Sequence, residues 1–138
     1  MLNKEYLVVK DDYANMGKNS SLIKKTLIEL GIDNKIIRKI AVASYEAEIN
    51  MVIHAYGGKI YFSIDDDGLI KLVFHDDGPG IPDIEKAMTP GWSTASAKAR
   101  EMGFGAGMGL VNIQRYSDSF DLKTSPEGTI ITICFNGA

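Results

Sequence analysis

Apolar positions alternate with polar ones in some stretches of this chain and recur every three to four residues in others. That switching period predicts its elements. Tyr6-Leu7-Val8-Val9 reads as a short strand. From Met16 to Leu30 the residues Leu22, Ile23, Leu27 and Leu30 return at helical spacing. Asp11 or Asp12 precedes this helix as a cap, and Gly31 suits the position just past its last turn. Asp33 caps a second predicted helix that runs to about Tyr56. Ile60–Ile64 and Leu69–Phe74 read as strands joined at Asp65-Asp66-Asp67-Gly68, where Asp-Gly suits a tight turn. Asp83 to Met88 reads as a short helix, and Leu110 to Tyr116 as another. Phe120–Thr124 and Thr129–Phe135 are strands flanking the turn Pro126-Glu127-Gly128. Together these elements predict an α+β two-layer sandwich, with a mixed, mainly antiparallel sheet and helices packed on one face. They make one domain over residues 1–138.

The second helix is unusual. Ile36, Ile40, Ala43, Ala47 and Met51 form one apolar face, while Val42, Ile49 and Ile53 lie nearly opposite, so the helix is expected to be mostly buried. Glu46, Asn50 and His54 run along its flank at i, i+4, i+8. A carboxylate in such surroundings needs a partner or a task. One reading pairs Glu46 with a lysine such as Lys39 and lets Asn50 cap a loop. The other makes Glu46 a general base and Asn50 a metal ligand facing a nucleotide. His54, near the helix end, reads as a core or capping residue.

Two stretches break the pattern. His75-Asp76-Asp77-Gly78-Pro79-Gly80-Ile81-Pro82 turns the chain sharply and leaves Asp76 beside a crevice, where a carboxylate accepts from an exocyclic amine or holds a metal. Gly103-Phe104-Gly105-Ala106-Gly107-Met108-Gly109-Leu110 places glycine at every second position and opens directly into a helix. A glycine-rich turn at a helix N-terminus offers unpaired N–H groups and a positive dipole end to an anion; alone, it reads equally well as a flexible loop. Between the two, the chain is rich in small residues and lacks an apolar period, which suggests a lid at about 82–104. Trp92 is either its anchor or a core residue.

Composition narrows the function. With 45% hydrophobic and 24% charged residues the chain suits an ordinary globular core, and a net charge of −3 argues against nucleic acid as partner. Its one cysteine, Cys134, lies in an alternating apolar run and reads as a strand thiol. No leader and no run of membrane-spanning length is apparent, so a cytoplasmic location away from the membrane is expected. The acidic turn at 65–68 lacks the spacing and closing glutamate of a calcium loop, and no Walker A lysine motif occurs.

Glu46-x-x-x-Asn50, Asp76-x-Gly78-x-Gly80, Gly105-x-Gly107-x-Gly109 and Gly128-Thr129 stand in one fixed order. This ordered set resembles the N, G1, G2 and G3 boxes of the GHKL ATP-binding superfamily of gyrases, heat-shock chaperones, histidine kinases and mismatch-repair ATPases. Within it, Ala41–Tyr56, Gly107-Met108-Gly109-Leu110 with Arg115 and Asp118, and Gly91-Trp92-Ser93-Thr94 look most like the bacterial anti-sigma-factor and switch-protein serine/threonine kinases. The resemblance implies ATP and Mg²⁺ as cofactors. It makes Glu46 the general base, Asn50 the Mg²⁺ ligand and Asp76 the acceptor for the adenine amino group. It implies that Gly105, Gly107 and Gly109 wrap the phosphates, that Thr129 helps hold the adenine end, and that Gly78, Gly80, Ile81, Ala106, Met108 and Leu110 complete the cofactor-binding set. The implied reaction is transfer of the γ-phosphate to a protein partner, an antagonist or switch protein, with a sigma factor as a further partner and a homodimer as a family-level expectation. The segment from Ser93 to Gly105 is longer than the compact lid of those kinases, and its Lys98, Arg100 and Glu101 form either a solvated lid face or a reach toward the γ-phosphate. Two other functions compete. One is an ATP-gated binding module that sequesters a partner without phosphoryl transfer. The other is the ATPase domain of a histidine kinase, whose phosphoacceptor region these 138 residues leave no room to build.

Overall fold

A computed structural model of the chain describes residues 2–81, Met88 and residues 109–137. In order, the elements are β1 (Leu2–Val9), a 3-10 turn (Tyr13–Asn15), α1 (Lys18–Glu29), α2 (Asn34–Ile53), β2 (Gly57–Ile64), β3 (Leu69–Asp76), α3 (Gly109–Tyr116), β4 (Ser119–Ser125) and β5 (Gly128–Asn136). The strands form one sheet in the order β1-β2-β3-β5-β4, and every pairing among the described residues is antiparallel. All of the predicted helix from Asp83 to Met88 except Met88 itself, and most of the predicted lid, lie outside the described residues.

Alternation along the strands puts one face of the sheet into the core. Ile60 and Phe62 of β2, Ile70, Leu72 and Phe74 of β3, and Ile131, Ile133 and Phe135 of β5 are buried together. Cross-strand register stacks them directly, with Ile70 opposite Phe135, Leu72 opposite Ile133 and Phe74 opposite Ile131. The helices cover this face. α2 contributes Ile40, Ala43, Ala47 and Met51, as the wheel predicts, and Ile37 joins them while Ile36 is only half-buried. The second apolar face is mixed: Ile49 is buried, Ile53 half-buried and Val42 38% exposed. No helix among the described residues is long and apolar enough to cross a membrane.

The helix ends follow local chemistry, with one exception. Gly31, at φ +75, ends α1: its N–H donates to Ile28 O, and Ile32 N–H donates to Leu27 O, which satisfies two orphan carbonyls. Asp33 caps α2 by accepting from Lys35 N at 2.7 Å. The expected cap of α1 by Asp11 or Asp12 does not occur. Asp12 accepts instead from the Asn15 side chain within the 3-10 turn. α1 starts six residues later, behind Gly17, and takes its acceptor from Glu48 of α2. In the β2–β3 turn, Asp65 Oδ1 accepts from Asp67 N and Leu69 N, so that carboxylate serves the turn itself.

Candidate functional site

The sequence-predicted residues fall into two clusters. The first lies where α2 meets the start of α3. Glu46 and Asn50 are one helical turn apart, and both face Gly109, the first residue of α3. A Cβ on Gly109 would stand 3.0 Å from Asn50 Oδ1, 3.3 Å from Asn50 Nδ2 and 3.5 Å from Glu46 Oε2. A side chain at this position would push the ends of Asn50 and Glu46 aside by a few tenths of an ångström, so glycine gives the backbone of α3 its closest approach to them. The orphan N–H groups of a helix N-terminus therefore open beside a carboxylate and a carboxamide. Leu110 and Ile113 anchor α3 in the core and fix that approach.

Burial raises the Glu46 carboxyl above its ordinary value of 4.5, and a hydrogen bond from the Asn112 side chain pulls it partly back. Asn112 lies one turn into α3, so each helix contributes one member of the pair. The proposed partnership of Glu46 with Lys39 does not form. His54 caps the C-terminus of α2, its N–H donating to Asn50 O at 2.9 Å, and burial lowers its imidazole.

The second cluster sits where β3 ends and β5 begins. Asp76 is the last residue of β3. Its Oδ1 accepts from Gly78 N at 3.0 Å and from Thr129 N at 2.8 Å, and among the described residues Oδ2 takes no donor. Burial raises its carboxyl and those two backbone bonds lower it. Thr129 is 3% exposed, and Ile81 N donates to the hydroxyl of Thr124, which stands 2.8 Å from the hydroxyl of Thr129. Gly80 has φ +91, and a side chain there would overlap Ser125 O. The chain leaving α2 ties the clusters together: Tyr56 N donates to Gly78 O at 2.8 Å and Asp77 N donates to Gly57 O at 3.0 Å.

Glu46, Asn50, Gly109 and Leu110 thus meet at one end, and Asp76, Gly78, Gly80, Ile81 and Thr129 at the other. Gly105, Ala106, Gly107 and Met108 lie outside the described residues. Three residues are not apparent from the sequence patterns, the first being Asn112, which bonds to Glu46 across the two helices. Thr124 is visible only as the cross-strand partner of Thr129. Glu48, 2% exposed, carries no local signal for its partners, because they lie 28 and 29 residues upstream.

No group of three or more histidine, cysteine or acidic side chains that could hold a metal by itself occurs among the described residues. Asn50 Oδ1, half-buried beside the α3 N-terminus, offers one hard oxygen. That suits a magnesium ion whose remaining ligands are water and phosphate.

The chain matches the family described as the histidine kinase-like ATPase domain over residues 9–135. It is 36% identical over 95 residues to an anti-sigma F factor of Heyndrickxia coagulans, covering 64% of this chain and 61% of that protein. The chain thus spans about three fifths of that relative's length. It is 36% identical over 107 residues to the serine/threonine-protein kinase RsbT of Bacillus subtilis, covering 75% of this chain and 74% of that one. Among solved structures it is similar to the RsbU and RsbW domains of a Mycobacterium tuberculosis protein, with a TM-score of 0.63 at 16% identity over 96% of this chain and 32% of that chain. A mycobacterial sensor histidine kinase, MprB, gives a TM-score of 0.57 at 16% identity over 99% and 98%. At such identities the solved structures establish the fold, an α+β sandwich of the GHKL type. The match across residues 9–135, on a fold whose sheet and helices agree, makes this chain a member of the histidine kinase-like ATPase family.

Proposed function

We propose that this chain binds Mg-ATP and transfers the γ-phosphoryl group to a serine or threonine hydroxyl of a protein partner, as an anti-sigma-type regulatory kinase. One observation carries the reading: Glu46 and Asn50, on adjacent turns of α2, converge on the N-terminus of α3 at Gly109. The names of the relatives, anti-sigma F factor and serine/threonine-protein kinase, point the same way.

In this reading the N-terminus of α3 and residues 105–110 bind the phosphates through backbone N–H groups. Asp76 and Thr129 bind the adenine ring at the other end. Glu46 accepts the proton of the attacking hydroxyl as its oxygen bonds to the γ-phosphorus and the bond to the ADP oxygen breaks. Asn112, bonded to the Glu46 carboxylate, aims it. Asn50 is the protein ligand for magnesium, which when bound neutralises charge on the phosphate oxygens.

The partner is an antagonist or switch protein, and the relatives' name adds a sigma factor. That name also favours a second reading, an ATP-gated module that sequesters its partner without phosphorylating it. The test is incubation with γ-labelled Mg-ATP and candidate antagonist proteins from neighbouring genes. Label on the partner with the wild type and none with Glu46→Gln supports the kinase. Tight, ATP-dependent complex formation without label supports the module instead.

A further inference from the structure

The helix layer carries a groove that the nucleotide site does not use. α2 turns Glu46 and Asn50 toward α3, and Ala41 and Tyr45 toward α1. Between α1 and α2 lies an open groove of about 540 Å³, with Lys18, Ser21 and Lys24 on one side and Ala41 and Tyr45 on the other. The Tyr45 ring lies against the backbone of Gly17 at the head of α1, where a Cβ would stand 2.6 Å from it. Helical spacing continues the α1 stripe from Lys24 to Ile28, and the α2 stripe runs Arg38, Val42, Tyr45. Ile28 is 56% exposed, and Val42 and Tyr45 are each 38% exposed. Large apolar side chains left in solvent along one groove mark an interaction surface.

The rim of the groove is charged. Residues 16–45 hold six basic side chains, Lys18, Lys24, Lys25, Lys35, Arg38 and Lys39, and two acidic ones outside the groove, Glu29 and Asp33. All six basic residues are exposed, and none forms an ion pair with another described residue. Asp33 is engaged in capping α2 through Lys35 N. Of the chain's 15 basic and 18 acidic residues, that leaves nine and sixteen elsewhere, so the helix hairpin stands positive on a molecule of net charge −3.

We propose that this groove docks an acidic amphipathic helix of a protein partner. The helix lies along α1 and α2 as a third one, its apolar stripe on Ile28, Val42 and Tyr45 and its carboxylates among the lysines. Both walls are helices whose main chain is already bonded, so they offer no free edge to an extended strand. Ser21 and Ala41 are short and allow close approach of a third backbone. From Gly17 to Ile28 the groove runs about 16 Å, three turns of helix. It is separate from Glu46 and Asn50, so it serves a partner that is phosphorylated and one that is only held.

The probe is a synthetic peptide of about four helical turns, with leucine at helical spacing and glutamate elsewhere, titrated into the isotopically labelled chain by NMR. Binding should shift the amides of Lys24, Ile28, Ala41 and Tyr45. It should be roughly tenfold tighter than that of a scrambled peptide of the same composition. Lys24→Glu combined with Arg38→Glu should weaken it by roughly tenfold, because each reversal repels the incoming carboxylates. Ala41→Arg, which fills the floor, should do the same. Mg-ATP affinity should stay within about twofold in both variants, since the two sites share no residue. The charge variant alters only exposed side chains, so it decides the matter if Ala41→Arg does not fold. Equal binding of the scrambled peptide, shifts confined to another surface, unchanged binding in the charge variant, or no binding at all would overturn the inference. So would a single-stranded oligonucleotide that binds this face more tightly than the peptide, which would make it a nucleic-acid surface. A chain that binds the peptide but not ATP overturns the proposed function and leaves the docking groove standing.

Discussion

Glu46 is pulled in two directions. Burial favours its neutral form and the bond from Asn112 favours its charged form. A base works only when ionised, so the acid limb of the pH–rate profile should lie above the ordinary glutamate value, with activity lost as pH falls through it. Asn112→Leu removes the bond that favours the ion, and the limb should move to higher pH. Glu46→Gln should cut phosphoryl transfer by roughly 10²–10⁴-fold. It should do so without loss of melting temperature. A carboxyl whose folded pKa is raised contributes most to stability while protonated, and that contribution is lost as pH rises through the folded value. At neutral pH the amide therefore sheds a cost. A transfer rate within a few-fold of wild type would remove Glu46 from the chemistry. At Asp76, alanine would remove the proposed base contact and two backbone bonds together, because Oδ1 also holds Gly78 N and Thr129 N. Asp76→Asn separates them. Its carbonyl can keep both backbone bonds while its amide presents donors in place of the open acceptor Oδ2. ATP affinity should fall by roughly 10- to 150-fold while GTP falls less or rises. An unchanged ATP:GTP ratio on titration would mean that this carboxylate only closes the turn.

At the scale of elements, α1 and α2 are joined by a contact that neither helix announces. Glu48 is 2% exposed, and its carboxylate accepts from Asn19 N at 3.3 Å, Ser20 N at 2.9 Å and Ser20 Oγ at 2.7 Å. These N–H groups belong to the first turn of α1, whose N-cap, Gly17, offers no side chain. Glu48 thus caps a different helix from its own and sits at the favourable end of that helix's dipole. Glu48→Ala leaves two amides and a hydroxyl without acceptors in the interior, and should cost roughly 2–4 kcal/mol. Urea unfolding should register this as a lower midpoint with an unchanged slope. A shift below about 0.5 kcal/mol, the range of ordinary surface changes, would mean that water replaces the carboxylate. The contrast with its neighbours explains what the sequence could convey. Glu46 and Asn50 share a helical stripe, Asp76 ends an alternating run before a glycine turn, and Gly31 and Asp33 mark helix ends through local chemistry. Each of those signals lies within a few residues. Glu48 depends on a partner 28 residues away, and Thr124 on the register of a hairpin. The misplaced cap at Asp11 or Asp12 has the same origin: a nearby acidic residue fits a local rule, while the actual acceptor arrives through tertiary packing.

For the molecule as a whole, the two ends of the site are carried by elements far apart in sequence. β3 and β5 pair along their length although 51 residues, from 77 to 127, separate them. α2 and α3 meet at Gly109 in the same layer. A nucleotide that touches all four elements binds only the assembled fold, so its binding free energy adds to global stability. At about 100 times its Kd, Mg-ATP should stabilise the protein by about 2.7 kcal/mol. For a domain of this size that is a rise in melting temperature of about 10 °C. GTP at the same concentration should give a much smaller rise, and no rise with ATP would contradict a site spanning these elements. The wall of the proposed base site beside Asp76 is largely main chain. A side chain on Gly80 would overlap Ser125 O, and one on Gly128 would overlap Asp76 O. An inhibitor that drew its affinity from this backbone would press on atoms that no codon change can alter. Replacing the glycines themselves would disrupt the pocket, so the chain would have few single-step routes to resistance.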